Sequence, residues 1–306
     1  MVSVLLALST SLGYGAADFL AGWAARRIAP VLIVLYVQAL QSVAVLFIAL
    51  GTAQPLSVAA LLWGLSSGFV NAVGLLLYYR ALTFGPVGVV SPIVASGAVV
   101  PIVLSAVQGN SPGILGYLGL ATVLAGVIVS AVARSSDPVH DEGASPPCRG
   151  ATRPLRDQPP VDTCQTQAVV LAVVAALAFG GYFVLVDRAS ATAATGVLWV
   201  TFGVQVGTLP LAVASAFYER LERFTVAGGA ALVTLGGITV FNLGADASLA
   251  YALQGGNLGI VSVLSSLGPV ITGVLARLLS KERLTWLQLL GSCLIVVGTL
   301  TVLTSN

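Results

Sequence analysis

Charge is what this sequence has least of. Of its 306 residues only 8% are Asp, Glu, Lys or Arg, against about 25% in a soluble domain. So few charges cannot coat a surface that faces water, and most of the chain must face something else. The net charge is +2, and the cations form no basic face of the kind that nucleic-acid binders carry, so no nucleic-acid partner is expected. Histidine is almost absent: His140 stands alone. The three cysteines, Cys148, Cys164 and Cys293, lack zinc-ligand spacing and read as incidental thiols. No metal and no cofactor is expected. There is no P-loop and no nucleophile elbow, which excludes self-contained ATP-driven work and argues against an enzyme. Alternating strand patterns are missing too, so a membrane β-barrel is unsupported.

What is present is apolar sequence in long runs. Hydrophobic residues make up 57% of the chain. A span needs about 20 mostly apolar residues. Such segments fall near 2–25, 30–51, 57–82, 86–107, 113–133, 167–187, 196–217, 228–253, 257–279 and 285–304. Lipid leaves only helices for them, because backbone groups must be satisfied internally. The first run has no positive leader and continues to about Ala25, too long for a signal-peptide core, and reads as a retained helix. Residues 134–166 break the pattern with Pro, Ser, Asp and Arg and read as a flexible cytoplasmic linker between five helices and five. The cations gather in alternate loops, at Arg26 and Arg27, Arg80, Arg134 to Arg156, Arg220 and Arg223, and Arg277 to Arg283. The positive-inside rule puts those loops in the cytoplasm and both termini outside.

The two halves repeat each other. "GPVGVVSPIVASGAVVP" from Gly85 and "GNLGIVSVLSSLGPVIT" from Gly256 agree at six of seventeen positions, 171 residues apart. At that offset Asn71 meets Asn242, Ser91 meets Ser262 and Gly97 meets Gly268. The first helices align at an offset of 165, with Leu12 on Leu177 and Gly15 on Gly180. A copy that follows an odd number of helices enters the membrane upside down. The fold class is therefore read as an all-α membrane protein of ten transmembrane helices, built as two inverted five-helix repeats over 1–133 and 167–306. Inverted repeats are a recurring basis for alternating access in secondary transporters.

Several stretches carry a resemblance: "YGAADFL" in the first helix, "YYRALTFGPVGVVSPI" across the third and fourth, "AYALQGGNLGIVSVLSSLGPVI" across the eighth and ninth, and "SKERLTWLQLLGSCLIVVGTL" at the end. The chain resembles a ten-helix member of the drug/metabolite transporter superfamily, of the EamA type, over both halves. The resemblance implies that helices one, three, four, six, eight and nine surround a central cavity, with the fifth helix of each half at the side. Ser111 stands where the second half has Glu282, Tyr14 where the family often has Trp, and the linker is longer than usual.

Ionisable groups inside lipid are costly and mark function or a structural pair. Asp18, Arg80 and Asp246 stand out. Asp18 and Arg80 fall in the same half of the membrane, so Asp18 reads either as a proton or cation site or as Arg80's structural partner. Asp246 has no cation close by in sequence and reads as functional. Asp187 and Arg188 are expected to reach the interface. Asn71 and Asn242 are candidates for the cavity lining, with Tyr14, Tyr79, Ser91 and Ser262. Gln38, Gln41 and Gln205 read as helix-joining hydrogen bonders. Tyr78, Tyr182, Tyr251, Trp63 and Trp199 are read as cavity wall or headgroup anchors. Pro92, Pro101 and Pro269 are expected inside helices four and nine, where they would bend a gate. Gly64-x3-Gly68, Gly203-x3-Gly207 and Gly255-x3-Gly259 read as close helix contacts.

Together these point to a secondary transporter that exports a small metabolite or drug-like solute, with the lipid bilayer as its solvent. A proton as coupling ion, no coupling ion at all, or a non-transporting scaffold all stay open. Twelve Arg to one Lys suggests a GC-rich bacterial genome, hence a multi-pass protein of an inner or plasma membrane.

Overall fold

The computed structural model describes residues 2–24, 28–84, 90, 93–94, 96–109, 113–135, 161–193, 196–218 and 229–280, then 286–287, 290–291, 293–294, 297–298 and 301. Among the described residues every regular element is helical and there is no strand. The helices are α1 (Val2–Ala24), α2 (Pro30–Gly51), α3 (Val58–Phe84), α4 (Val99–Val107), α5 (Gly113–Ser135), α6 (Val161–Thr192), α7 (Val197–Tyr218), α8 (Gly229–Gly255), α9 (Leu258–Ser265) and α10 (Gly268–Ser280). Within α1, α2, α3, α6, α7 and α8 lie six segments long and apolar enough to cross a membrane. The protein is a multi-pass helical membrane protein in that sense. α6 starts at Val161, inside the stretch read as linker. Most of that linker, with Arg26, Arg27, Ser91, Pro92, Ser111, Glu282 and the 219–228 loop, lies outside the described residues.

The chain divides into two compact units. One joins Met1–Ala72 to Gly181–Glu282, and the other joins Val73–Gly180 to Arg283–Asn306. In the first, α1 lies along α8 and against α9 and α10, while α2 packs on α7 and α8. Lipid supplies no hydrophobic drive between helices, so close backbone packing must hold them. Small residues permit it. On α1, Ala7, Gly15, Ala17 and Ala24 are buried. Ala17 and Ala24 meet Ile33 and Val37 of α2 and Leu235 and Ile238 of α8.

The tightest crossing in the first unit is α3 on α7. A Cβ added at Gly64 would lie 2.7 Å from Val200 O, and one at Gly203 would lie 2.7 Å from Leu61 O. At Gly68 it would run into Val204 O, and at Gly207 into Leu65 O. Thr208 Oγ1 donates across the seam to Gly68 O at 3.1 Å. The expected close contact of these two glycine pairs is what the structure shows. Gly255 is different, with only Ser3 Oγ at 3.5 Å.

Two contacts recur with the halves of the chain exchanged. In the first unit a Cβ at Gly15 would lie 2.8 Å from Gly268 O; in the second, one at Gly180 would lie 2.6 Å from Gly97 O. Gly180 and Gly97 are the repeat counterparts of Gly15 and Gly268. Likewise a Cβ at Gly13 would lie 2.9 Å from Ala245 Cβ, and one at Gly74 would lie 3.4 Å from Ala178 Cβ. Ala178 and Gly74 are the counterparts of Gly13 and Ala245. Glycine and alanine trade places while the approach is kept.

The expected ninth helix is not continuous. α9 ends at Ser265 and α10 begins at Gly268, with a turn between them. Asn257 starts α9 by accepting from the N–H groups of Gly259 and Ile260. Pro269 is the second residue of α10 and Pro101 the third of α4. For Pro269 the expectation of a bend in an unbroken helix is corrected, since it occupies a first turn, where a missing N–H costs no intrahelical bond; α4 instead follows directly on a 3-10 turn, Ser96–Ala98. Among the described residues Pro210 of α7 lies inside a helix.

One loop is tied down by a single side chain. α2 closes through Thr52, whose N–H donates to Ile48 O, and Ala53 follows with φ of 48°. That left-handed turn delivers Gln54 to the start of α7. Gln54 Oε1 accepts from Leu198 N at 3.0 Å, its Nε2 donates to Tyr251 Oη of α8 at 3.1 Å, and its carbonyl accepts from Trp199 Nε1 at 3.1 Å. Leu198 N is one of the α7 donors with no intrahelical partner. Gln54→Ala is expected to lower stability by about 1–2 kcal/mol. A melting temperature in detergent equal to the parent's would show that the loop is held without it.

Candidate functional site

The polar centre of the first unit is built on α1, α7, α8 and the end of α6. Asp246 projects from deep within α8 and is only partly exposed. Tyr14 of α1 donates its hydroxyl to Asp246 Oδ1 at 2.5 Å. Gln205 of α7 donates Nε2 to Oδ2 at 2.6 Å. Tyr182 of α6 places its hydroxyl 3.3 Å from that of Tyr14 and stacks edge-on against Phe183. Among the described residues no basic side chain pairs with Asp246. Both carboxylate oxygens are held by neutral donors alone. Charge-assisted bonds of this kind contribute about 1.5–3 kcal/mol each.

The sequence around Tyr14 explains how it arrives there. Gly13 lets α1 approach α8 at Phe241 O and Ala245, and Gly15 lets it approach α10 at Gly268 O and Ile271. Thr10 Oγ1 reaches Ala245 O at 3.3 Å, and Thr272 Oγ1 donates to Gly15 O at 3.1 Å. Tyr14 therefore emerges between two clamped turns and has little freedom to swing. Gln205 is fully buried, and its Oε1 has no hydrogen-bond partner among the described residues. Thr201, one turn earlier on α7, is buried at 1% exposure with Oγ1 equally unpartnered.

The repeat makes this centre one-sided. The counterparts of Tyr14 and Asp246 are Phe179 and Leu75. Both polar partners have apolar counterparts, although the flanking Gly13–Ala245 approach recurs at Ala178–Gly74.

The other candidates are placed as follows. Asn242 lies one turn before Asp246 on α8 and is half-buried. Asn71 on α3 is half-buried. Ser262 is fully buried in α9, its Oγ without a partner among the described residues. Asp18 and Arg80 are both exposed, and neither belongs to the Tyr14–Asp246–Gln205 group. Tyr79 lies in α3. Asp187 is half-buried and Arg188 exposed, four or five residues before the end of α6. Gln41 has the joining role expected of it, donating from α2 to Thr239 O of α8 at 3.4 Å. Gln205 also has the joining role expected of it, its bond running from α7 to the carboxylate of Asp246 on α8.

Comparison with known proteins adds three findings. The model of the EamA-like transporter family matches residues 1–132 and 166–304. An uncharacterized protein of Methanocaldococcus jannaschii is 39% identical over 77 residues, 25% of this chain and 50% of that protein, so the chain matches about half the length of this relative. A crystal structure that is 17% identical superposes with a TM-score of 0.75, covering 99% of this chain and 98% of the other, which supports the fold alone.

Proposed function

The chain belongs to the EamA-like transporter family, and on that premise we propose that it is a secondary transporter that exports a small metabolite or drug-like solute by alternating access, with the proton as coupling ion. Its working parts are two inverted five-helix repeats, 1–133 and 167–306, joined by a cytoplasmic linker over 134–166. Ten helices cross an inner or plasma membrane, and both termini lie outside. The family model matches the chain twice, once over each half. The exchanged contacts, Gly15 with Gly268 and Gly180 with Gly97, are what a two-fold relation between repeats would produce. Pro101 and Pro269, at the starts of α4 and α10, are the proposed gate positions.

The observation that carries the reading is Asp246. A carboxylate within a membrane helix is expensive to keep. Here it is held by a tyrosine and a glutamine, with no cation among the described residues to neutralise it. A structural ion pair would be locked; this group is free to exchange a proton or a cationic solute. It also stands where helices of both repeats meet, α1 from the first and α8 from the second. No catalytic role is assigned to it.

The test is transport in proteoliposomes. A panel of amino acids, aromatic amines and ethidium is offered with and without an imposed pH gradient. At least one solute is expected to accumulate in response to the gradient and to move protons in return. Equilibration that ignores the gradient would favour an uncoupled facilitator. If nothing on the panel moves under either condition, the transport reading is lost.

A further inference from the structure

The stripe of α1 that carries Tyr14 is shut at one end and open at the other. Taken every three or four residues, it runs Val4, Ala7, Ser11, Tyr14, Asp18, Gly22. Val4, Ala7 and Ser11 are buried, Tyr14 is half-buried, and Asp18 and Gly22 are exposed. A Cβ at Gly22 would meet nothing within 4 Å. α1 has a second exposed face, with Leu5, Leu12 and Trp23. At about 100° per residue these stand roughly 160–180° round the helix from Tyr14, whereas Asp18 and Gly22 stand roughly 40–80° from it. Leucine and tryptophan suit lipid and its interface. The face with Asp18 bears a carboxylate, which lipid would penalise, and it leads to the hydroxyl that Asp246 accepts from. Water suits that face.

We propose that a one-sided water path serves Asp246, lined on α1 by Tyr14, Asp18 and Gly22, open beyond Gly22 and shut toward Val4. α8 repeats the gradient around Asp246. The two helices run antiparallel, with Ser3 beside Gly255 and Gly256, Gly13 beside Phe241 and Ala245, and Leu20 beside Gly237. On the face of Asp246, Leu249 and Leu253 toward Ser3 are buried, and Asn242 toward Leu20 is half-buried. Beyond Asn242 that face turns onto α2, where Gln41 donates to Thr239 O, so the open part belongs to α1. The shut end is covered by α9, which lies against α1 and whose eight residues are all buried. On the proposed orientation the open end, which continues to Arg26 and Arg27, faces the cytoplasm. Protons and cationic solutes then reach Asp246 from the cytoplasm in this conformation, and from outside only once α9 has moved off α1. The inference rests on the transporter reading and deepens it, since it names the side from which Asp246 is served.

The experiment uses the full chain in spheroplasts and in inside-out vesicles, with Cys148, Cys164 and Cys293 replaced by alanine and one new cysteine at a time. The probe is a membrane-impermeant maleimide, which needs a thiolate and hence water around the thiol. Gly22→Cys and Asn242→Cys are expected to label at least tenfold faster in inside-out vesicles than in spheroplasts. Ser11→Cys at the shut end and Leu12→Cys on the lipid face are expected to label at least tenfold more slowly than Gly22→Cys in those vesicles, and all four should react once denatured. The Gly22 side chain meets no neighbour, and Asn242 reads the path from another helix, so loss of either variant to misfolding leaves the other to decide. Equal labelling from both sides, faster labelling in spheroplasts, or Leu12→Cys as fast as Gly22→Cys overturns the one-sided path. So does a folded Asn242→Cys protein that stays unlabelled, since the water would then stop short of Asp246. If labelling fails while solutes still cross proteoliposomes under a gradient, the path alone falls. If labelling is as expected and no solute is moved, it is the transport reading that falls.

Discussion

Gly68→Leu should yield almost no folded protein in the membrane. The reason lies in what the new side chain meets. At Gly68 the first added carbon would run into the carbonyl of Val204, with Val204 C 2.8 Å away. These are backbone atoms of α7 and cannot rotate aside. The helices would have to separate along their whole crossing, because Gly64, Gly203 and Gly207 also lie against the facing backbone. Separation also breaks the bond from Thr208 Oγ1 to Gly68 O. Overpacking by one or two carbons in a rigid contact costs about 1–3 kcal/mol, and a leucine adds four. Total stability of a domain is about 5–15 kcal/mol, so the loss is a large share of it. Gly68→Ala should fold with a clearly lowered melting temperature. Gly236→Ala on α8 is the control, since a Cβ there meets nothing within 4 Å, and it should melt at or slightly above the parent. Fluorescence size-exclusion of detergent extracts reads all three. A monodisperse Gly68→Leu protein at parental yield would mean that α3 and α7 do not cross here.

How much of this was legible beforehand depends on the kind of signal. The helices with clean ends were readable: α2 was expected over 30–51 and runs Pro30–Gly51. Proline at a first turn and glycine at a last one mark both ends locally. The α3–α7 seam was readable for the same reason, as glycine at four-residue spacing has few other uses in a membrane helix. The break between α9 and α10 was not. Pro269 serves equally well inside a kinked helix and at the second position of a new one, and only the backbone around Ser266 distinguishes these. The partner that Gln205 joins was not legible, because it is 41 residues away on another helix. Nothing local separates a glutamine that joins helices, such as Gln41, from one that holds a carboxylate. A usable signal did exist. Tyr14 and Asp246 are polar in one repeat and Phe179 and Leu75 in the other. Where a duplicated scaffold is kept and its polarity is not, the odd copy marks the site. Asp18 and Arg80 draw attention as charges within apolar spans, and both are exposed.

Asp246→Asn is expected to abolish gradient-driven transport, by at least 100-fold, while leaving the protein folded. Asparagine keeps the size of the side chain and offers Tyr14 an acceptor. Gln205 must turn its amide so that Oε1 faces the new Nδ2, which costs little because Oε1 has no other partner among the described residues. Stability should therefore stay within about 1 kcal/mol of the parent. What is lost is the exchangeable charge, and with it any coupling between solute and proton. Asp246→Leu, the residue of the other repeat, gives a second measure. It strands Gln205 Nε2 without its acceptor, at about 1–3 kcal/mol, and leaves the Tyr14 hydroxyl only that of Tyr182, 3.3 Å away. It should be as inactive as Asp246→Asn and melt well below it. Asp246→Glu retains the charge on a longer stem and should keep some gradient response at a reduced rate, because Tyr14 is clamped between Gly13 and Gly15 and cannot retreat to make room. Melting curves and proteoliposome flux on the three variants separate charge from packing. An Asp246→Asn protein that still answers an imposed pH gradient at the parental rate would remove this carboxylate from the mechanism and move the search for the coupling group elsewhere in the chain.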